Sequence, residues 1–360
     1  MNYLIFRNDG IGDLILSTPL ILAIREFDPK SKIHIICSLR NDNFAQILLK
    51  DGFIDEVHLL HTKRDSGKSN YFDLKRKLSK IIYENAFLLK GSTSNLLFTK
   101  MLNVKNVFSI VSKNKGKIFK DKYSPPLLLL KMFSTGIEFI DCRNDYKNSN
   151  HIHMSTHFLN LMILNYDKKN NSFKNQYYVP KYLNQYSKNY ITTLHTKYNF
   201  NKNKKKIILH FDEKWDRHNH SFDEIQNFIL NLLKNECLLI ITNGIIKNEY
   251  ESQLKDEFNF QSTDTDEDIY LSSKNKNIIF LNNLNLEKLF SIVKYSNLVI
   301  TPHGSLTHIA SLYDKNLIDL IPLKQKNFYS KWKSPNKTST QFEIKDLKGI
   351  TEIVTKYLKV

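Results

Sequence analysis

Two doubly wound α/β domains in series, facing a central cleft, are what the sequence predicts. Three observations predict it. Short apolar runs alternate with amphipathic helical stretches near the start of the chain, and the same alternation resumes in its second half. Each half opens on an apolar run that ends in a polar turn, as strands of a parallel sheet do at their C-terminal ends. The length of 360 residues suits two domains of roughly 100–200 residues each.

In order, residues 3–7 form a strand, and Asn8-Asp9-Gly10-Ile11-Gly12-Asp13 turns the chain into a helix. Leu16, Leu20, Ala23, Ile24 and Phe27 recur there at spacings of three and four, and Pro29 closes the pattern. Residues 33–37 are the next strand, followed by a helix over 44–49 and a strand over 56–60. A basic loop, a helix over 71–82, a strand over 85–89 and a strand over 104–111 come next. Beyond them lie a lysine-rich stretch at 113–122, the breaker Ser124-Pro125-Pro126, an apolar helix, a polar segment at 141–149 and a helix over 151–165. Tyr177-Tyr178-Val179-Pro180 is extended, and the domain boundary is placed there, dividing residues 1–180 from 181–345. The second half begins with a strand over 207–211, a helix over 222–233 and a strand over 237–242 that ends at Asn243-Gly244. A helix over 247–255, a strand over 278–281, a helix over 286–294 and a strand over 298–301 follow. Pro302-His303-Gly304-Ser305 then opens a helix through Leu312 before a last strand over 317–321. Within residues 346–360 an amphipathic helix over 347–358 is expected to pack back across the junction.

Composition narrows the function. Hydrophobic residues make up 41% of the chain and aromatics 12%, which excludes a disordered chain. Cys37, Cys142 and Cys237 lie far apart, so neither a disulfide scaffold nor a structural zinc site is indicated, and a reducing cytoplasmic setting fits. The apolar runs are too short for a signal peptide or a membrane span. Lys+Arg number 53 against 36 Asp+Glu, a formal charge of +17. That surplus suits nucleic acid, an anionic membrane surface or a phosphorylated substrate. The lysines are dispersed among asparagines, with no helix-turn-helix, zinc finger or ribonucleoprotein motif, so no nucleic-acid partner is expected.

Three turns carry candidate chemistry. Gly10 and Gly12 allow a tight turn and close approach of a ligand, but the third glycine of a dinucleotide fingerprint is missing, so no such cofactor is expected. Asp13 either caps the helix that follows or works as a base at its N-terminus. The segment Thr301-Pro302-His303-Gly304-Ser305-Leu306-Thr307-His308 takes the chain from a strand into a helix N-terminus, a geometry suited to a phosphate or diphosphate. Ser305 and Thr307 either bind those oxygens or cap the helix, and His308 is either a ligand contact or a structural histidine. Lys214, in His210-Phe211-Asp212-Glu213-Lys214-Trp215, either neutralises a diphosphate leaving group or belongs to an exposed charged loop. His210, His218 and His220 lack the spacing of a metal-binding helix, and no metal is expected.

Arg7 through Pro19, with Gly12-Asp13 and Ser17-Thr18-Pro19, resembles the opening of the bacterial heptosyltransferase family of lipopolysaccharide core biosynthesis. Thr301-Pro302 followed by Leu306-Thr307-His308-Ile309-Ala310 resembles that family's donor-binding segment, and Lys214-Trp215 its lysine-tryptophan segment. The resemblance implies a glycosyltransferase-B fold of two Rossmann-like domains, the first binding the acceptor and the second the nucleotide sugar. It implies inverting, metal-independent sugar transfer with no cofactor beyond the nucleotide-sugar donor. Asp13 matches the family's general base, Lys214 its donor-side lysine, and residues 304–307 its diphosphate cradle, while Arg7, Gly10 and Gly12 stand at the acceptor side or cleft. The expected acceptor is a lipid-linked or phosphorylated saccharide, met by a cytoplasmic enzyme held peripherally at the anionic inner membrane by basic residues at 63–80 and 113–122. One departure stands out: His303 occupies the place where the family carries an acidic residue. A histidine can donate where an aspartate only accepts, so the donor is an ADP-heptose-like sugar or a different one, and an acidic sugar such as a CMP-linked ulosonic acid fits a histidine better. A non-catalytic glycan or nucleotide binder, and behind it a nucleic-acid-binding protein, are the readings from other classes.

Overall fold

The structure, a computed structural model, describes residues 1–61, 70–90, 92–111, 137–141, 153–165, 173–198, 200, 203–244, 246, 248–263 and 266–359. The lysine-rich stretch 113–122, the apolar helix expected after Pro126 and residues 142–149 lie outside them, as do all the basic residues at 63–69. The chain forms two compact units, Met1–Pro180 and Lys181–Val360.

In the first unit β1 (Asn2–Arg7), β2 (Lys32–Cys37), β3 (Glu56–Leu59), β4 (Tyr83–Leu88), β5 (Val104–Val111) and β6 (Ile137–Asp141) form one parallel sheet. Their order is β3-β2-β1-β4-β5-β6. Tyr3, Leu4, Ile5 and Phe6 are all fully buried, because helices cover both faces, and this is why β1 reads as an unbroken apolar run. Leu4, Phe6 and Ile36 pack with Leu74 and Leu78 of helix Tyr71–Leu78 and with Leu96 and Phe98 of helix Thr93–Lys100. The chain runs from β1 out to β3 and then crosses back to β4, so the order reverses beside β1. A crevice opens at such a point, at the carboxyl ends of the strands.

The helix expected to run on through Leu16 to Phe27 is broken in two, Ile11–Ile15 and Thr18–Phe27. Pro19 has no N–H to give the carbonyl of Ile15, four residues earlier. The hydroxyl of Thr18 donates to that carbonyl at 2.8 Å, and the hydroxyl of Ser17 donates to the carbonyl of Asp13 at 2.8 Å. Ser17-Thr18-Pro19 is therefore a helix break whose exposed carbonyls are satisfied locally.

In the second unit β7 (Lys206–Phe211), β8 (Leu238–Asn243), β9 (Phe260–Thr263), β10 (Asp266–Ser272), β11 (Ile278–Leu281), β12 (Leu298–Pro302), β13 (Asn316–Ile321) and β14 (Ser339–Glu343) form one sheet. The order is β14-β13-β12-β7-β8-β11-β10-β9, parallel except for the antiparallel pairings of β10. The reversal lies between β7 and β12. Helix Lys181–Tyr198 packs on helix Leu286–Tyr295, where the Ser291 hydroxyl donates to that of Ser187 at 3.0 Å. The closing helix Leu347–Lys359 lies against helix Phe222–Leu233 within its own unit, with Ile350 and Val354 fully buried in that unit's core. Among the described residues no helix is long and apolar enough to cross a membrane.

Candidate functional site

In the first unit the candidate residues gather where β1 ends. Arg7, only 2% exposed, is the organising group. Its Nη1 donates to the carbonyl of Leu89 at 2.9 Å, just past β4, and its Nε to the carbonyl of Asp13 at 3.0 Å. Its Nη2 donates to Asp13 Oδ1 at 3.0 Å, and the guanidinium lies 4.7 Å over the ring of Phe158. Arg7 thus lies between the Leu89 carbonyl, Asp13 and the Phe158 ring at the end of β1 and holds the Asp13 carboxylate in place. Asp13 Oδ2 accepts the N–H of Gly10 at 3.2 Å. Its carboxylate therefore caps the short helix, and at 31% side-chain exposure it also faces solvent. Each carboxylate oxygen has two lone pairs, so one on each remains for a ligand.

Gly10 has φ −93° and ψ 169°, an extended conformation open to any residue. A Cβ there would meet Asp13 Oδ2 at an ordinary 3.4 Å. The turn thus uses the N–H of Gly10 and not its conformational freedom. Gly12 is buried inside the short helix. The loop is fixed from both sides. Ser38, after β2, donates to the carbonyl of Asp9 at 2.9 Å, Asn41 to that of Arg7 at 2.5 Å, and Asn8 pairs with Asn95 at 3.2 Å.

Asp9 is a residue the sequence reading passed over. Its Oδ1 lies 3.2 Å from Arg7 Nε, whose proton goes instead to the Asp13 carbonyl. Burial pushes the Asp9 carboxyl up to about 6, with the Asp13 charge adding to the rise, while Arg7 and Lys90 oppose it. Two carboxylates therefore flank one buried arginine, and the more enclosed of them holds its proton into mildly acidic solution.

In the second unit the two expected segments flank the reversal between β7 and β12. Lys214 Nζ pairs with Asp212 Oδ2 at 2.9 Å, and a Cβ on Gly304 would stand 2.9 Å from the same ammonium. A lysine from the β7 turn is thereby held against the β12 turn. Trp215, fully buried, donates its indole N–H to the carbonyl of His210 at 2.9 Å and anchors that loop.

The β12 turn is organised by a second residue that sequence reading missed. Asp319 of β13 is fully buried and accepts from His303 Nδ1 at 2.9 Å, Thr307 Oγ1 at 3.0 Å and Gln341 Nε2 at 3.1 Å. The signal was available: a lone carboxylate inside the apolar run Leu317-Ile318-Asp319-Leu320-Ile321 must be paired. With Nδ1 fixed on Asp319, Nε2 is the remaining ring nitrogen, and the imidazole packs near the rings of Tyr329 and His308, with centroids 4.7 Å and 5.4 Å away.

The expected donor residues separate into two groups. Ser305 is exposed, and His303, Gly304 and Lys214 are partly so. Thr301, Leu306, Thr307 and His308 are buried. Thr307 accepts the N–H of Gly304 at 3.2 Å and spends its proton on Asp319, and Thr301 donates to the carbonyl of Pro302, so both hydroxyls serve the framework and not a phosphate. His210 bonds Thr242 at 2.9 Å and is pushed down to about 4 by burial, while His220 meets the carbonyl of Ile344 at 3.3 Å. Among the described residues, His210, His218 and His220 make no common ligand set.

No protein-family model matches the chain, and no curated protein matches its sequence. Solved structures do match its fold. The glycosyl transferase family 9 protein from Veillonella parvula DSM 2008 is 13% identical, with 99% of this chain and 96% of that one covered and a TM-score of 0.68. The E. coli heptosyltransferase WaaC with ADP is 14% identical over 100% of this chain and 99% of that one, with a TM-score of 0.66. The E. coli ADP-heptose lps heptosyltransferase II is 12% identical at the same coverages, with a TM-score of 0.65. The chain has the glycosyltransferase-B fold class of these proteins, two Rossmann-like α/β units in series.

Proposed function

We propose that the chain is an inverting, metal-independent glycosyltransferase that moves a sugar from a nucleotide-sugar donor to a surface-glycan acceptor, with Asp13 as general base. One observation carries the reading. On the fold of the heptosyltransferases, a carboxylate at the end of β1 is held by a buried arginine while still facing solvent. Asp13 takes the proton of an acceptor hydroxyl as that oxygen bonds to the anomeric carbon and the nucleoside diphosphate leaves. Proton transfer in step with bond formation suits a carboxylate, because the hydroxyl grows acidic only in the transition state. On the donor side, Lys214 and the first-turn N–H groups of helix Ser305–Leu312 meet the charge that collects on the diphosphate.

His303 bears on the choice of donor. A neutral imidazole bonded through Nδ1–H to Asp319 presents Nε2 as an acceptor, so it can take a sugar hydroxyl as an aspartate would. An ADP-heptose-like sugar fits Nε2 as an acceptor, and a CMP-linked ulosonic acid fits it as a donor. The acceptor side is assigned to the first unit, where Lys75, Arg76 and Lys77 add basic charge on helix Tyr71–Leu78. That charge supports a lipid-linked or phosphorylated acceptor in lipopolysaccharide synthesis, and peripheral attachment at the cytoplasmic face of the inner membrane.

The test is to incubate purified chain with a panel of nucleotide sugars and extracted acceptor glycolipid. Transfer from an ADP-linked heptose or hexose, abolished by Asp13→Ala, is the expected result. No transfer from any donor, or an unchanged rate in Asp13→Ala, overturns the mechanism. Nucleotide binding without turnover would instead select the non-catalytic binder.

A further inference from the structure

Away from the strand ends that carry Asp13, the first sheet interrupts its own apolar packing. His34 of β2 stands opposite Glu56 of β3, and His58 of β3 stands opposite Ile36. Residues two apart on a strand share a face, so all three side chains lie on the face covered by Leu74 and Leu78. Two buried imidazoles, His34 at 4% and His58 at 3% exposure, are an unusual filling for that layer.

We propose that His34, His58 and Glu56 bind one divalent transition-metal ion of the zinc class, which clamps the edge strand β3 to β2. None of these three residues belongs to the proposed sugar-transfer site. His58 Nε2 lies 3.4 Å from His34 Nδ1 and 3.3 Å from Glu56 Oε2, and the three ligand atoms fall within 4.8 Å of one another. Two ligands each about 2.0–2.1 Å from a tetrahedral ion stand about 3.4 Å apart, so both close pairs already have the separation a zinc ion imposes. Imidazole with carboxylate is a donor set that zinc, cobalt and nickel accept. Glu56 is exposed enough, at 45%, to leave an entry path and a position for water.

Two groups compete with the ion. Tyr83 Oη is 2.9 Å from His34 Nδ1, a nitrogen that has one lone pair or one proton and cannot serve Tyr83 and His58 together. Lys77 Nζ is 3.5 Å from Glu56 Oε2 and 3.5 Å from His58 Nδ1, a cation placed beside the same ligands. Removing either competitor should tighten metal binding, a gain that a hydrogen-bond network with no metal role would not produce.

The experiment uses the full chain, stripped with a chelator and titrated with ZnCl2 or CoCl2 alone. Expected are one ion per chain with micromolar or tighter affinity, visible absorption of tetrahedral cobalt, and a melting temperature raised by roughly 5 °C at a hundredfold excess over Kd. Glu56→Gln, a conservative change at an exposed position, should weaken binding roughly tenfold or more, as should His58→Gln. Lys77→Met should tighten it roughly threefold. The absence of saturable binding by either metal, or binding that Glu56→Gln leaves unchanged, overturns the proposal. So does weaker binding in Lys77→Met.

Discussion

At the end of β1 the charge kept inside is a cation, and at the end of β12 it is an anion. Arg7, 2% exposed, holds Asp13 out towards solvent, whereas Asp319, fully buried, holds His303 outward. In each unit the inner group is buried and makes three hydrogen bonds, Arg7 to the Leu89 carbonyl and to Asp13, and Asp319 from His303, Thr307 and Gln341, and the outer group is left oriented by it. The difference decides what the outer group offers. Behind Asp13 stands a positive charge that fixes where its carboxylate oxygens point. Behind His303 stands a negative charge, which fixes the imidazole tautomer and leaves Nε2 to accept, or once protonated to donate.

The sharpest way to break this comparison is at its outer members. Asp13→Asn keeps the shape and the bond to Arg7 but cannot take a proton, so transfer should fall by about 10²–10⁴-fold with nucleotide affinity unchanged, read from steady-state rates and donor titration. His303→Ala should instead raise the donor KM with a smaller loss in kcat. A KM effect from Asp13→Asn, or a pure kcat effect from His303→Ala, would exchange the roles of the two units.

The inner members come next. Arg7→Met leaves Asp13 and Asp9 facing each other without their cation, and Asp319→Ala strands three donors. Each should cost about 3–5 kcal/mol in urea unfolding, with the loss confined to the unit that carries the change. Asp9 separates the units by pH. Its carboxyl is raised to about 6, above its unfolded value near 3.9, so the folded state binds its proton more tightly than the unfolded state does. Stability therefore falls as pH rises between about 4 and 6, and the penalty is fully present at neutral pH. Asp9→Asn should make the chain more stable at pH 7.5, by at most about 3 kcal/mol, with the gain vanishing near pH 4 in paired urea titrations. The smallest effect is expected from Ser17→Ala, which removes one bond to the Asp13 carbonyl and should cost about 1 kcal/mol.

How much of this was legible beforehand follows from the range of the interactions. Strands such as β1, β7 and β12 announce themselves because they are buried on both faces and so are apolar throughout. Asp13, Lys214 and the turn at residues 303–305 were visible because each follows such a strand. Helix Lys181–Tyr198 was not, since its buried stripe is only Leu183, Ser187, Ile191 and Leu194, with a serine in the middle. The strands β9 and β10 were missed because an edge hairpin is partly solvated and keeps no apolar run. One partner of Arg7 could not be read: the Leu89 carbonyl is 82 residues away in sequence and is brought near only by the crossing from β3 to β4. His303 looked like a lost carboxylate, but the carboxylate lies one strand over, at Asp319.

The break at Ser17-Thr18-Pro19 has a mechanical consequence. Because the first helical turn ends before the longer helix begins, Asp13 takes its position from the end of β1 and not from helix Thr18–Phe27. Shifts or substitutions along that longer helix are absorbed at the proline joint, as a coupling absorbs misalignment between two shafts. The Asp13 carboxylate thereby stays in register with the end of β1, whatever happens along the longer helix.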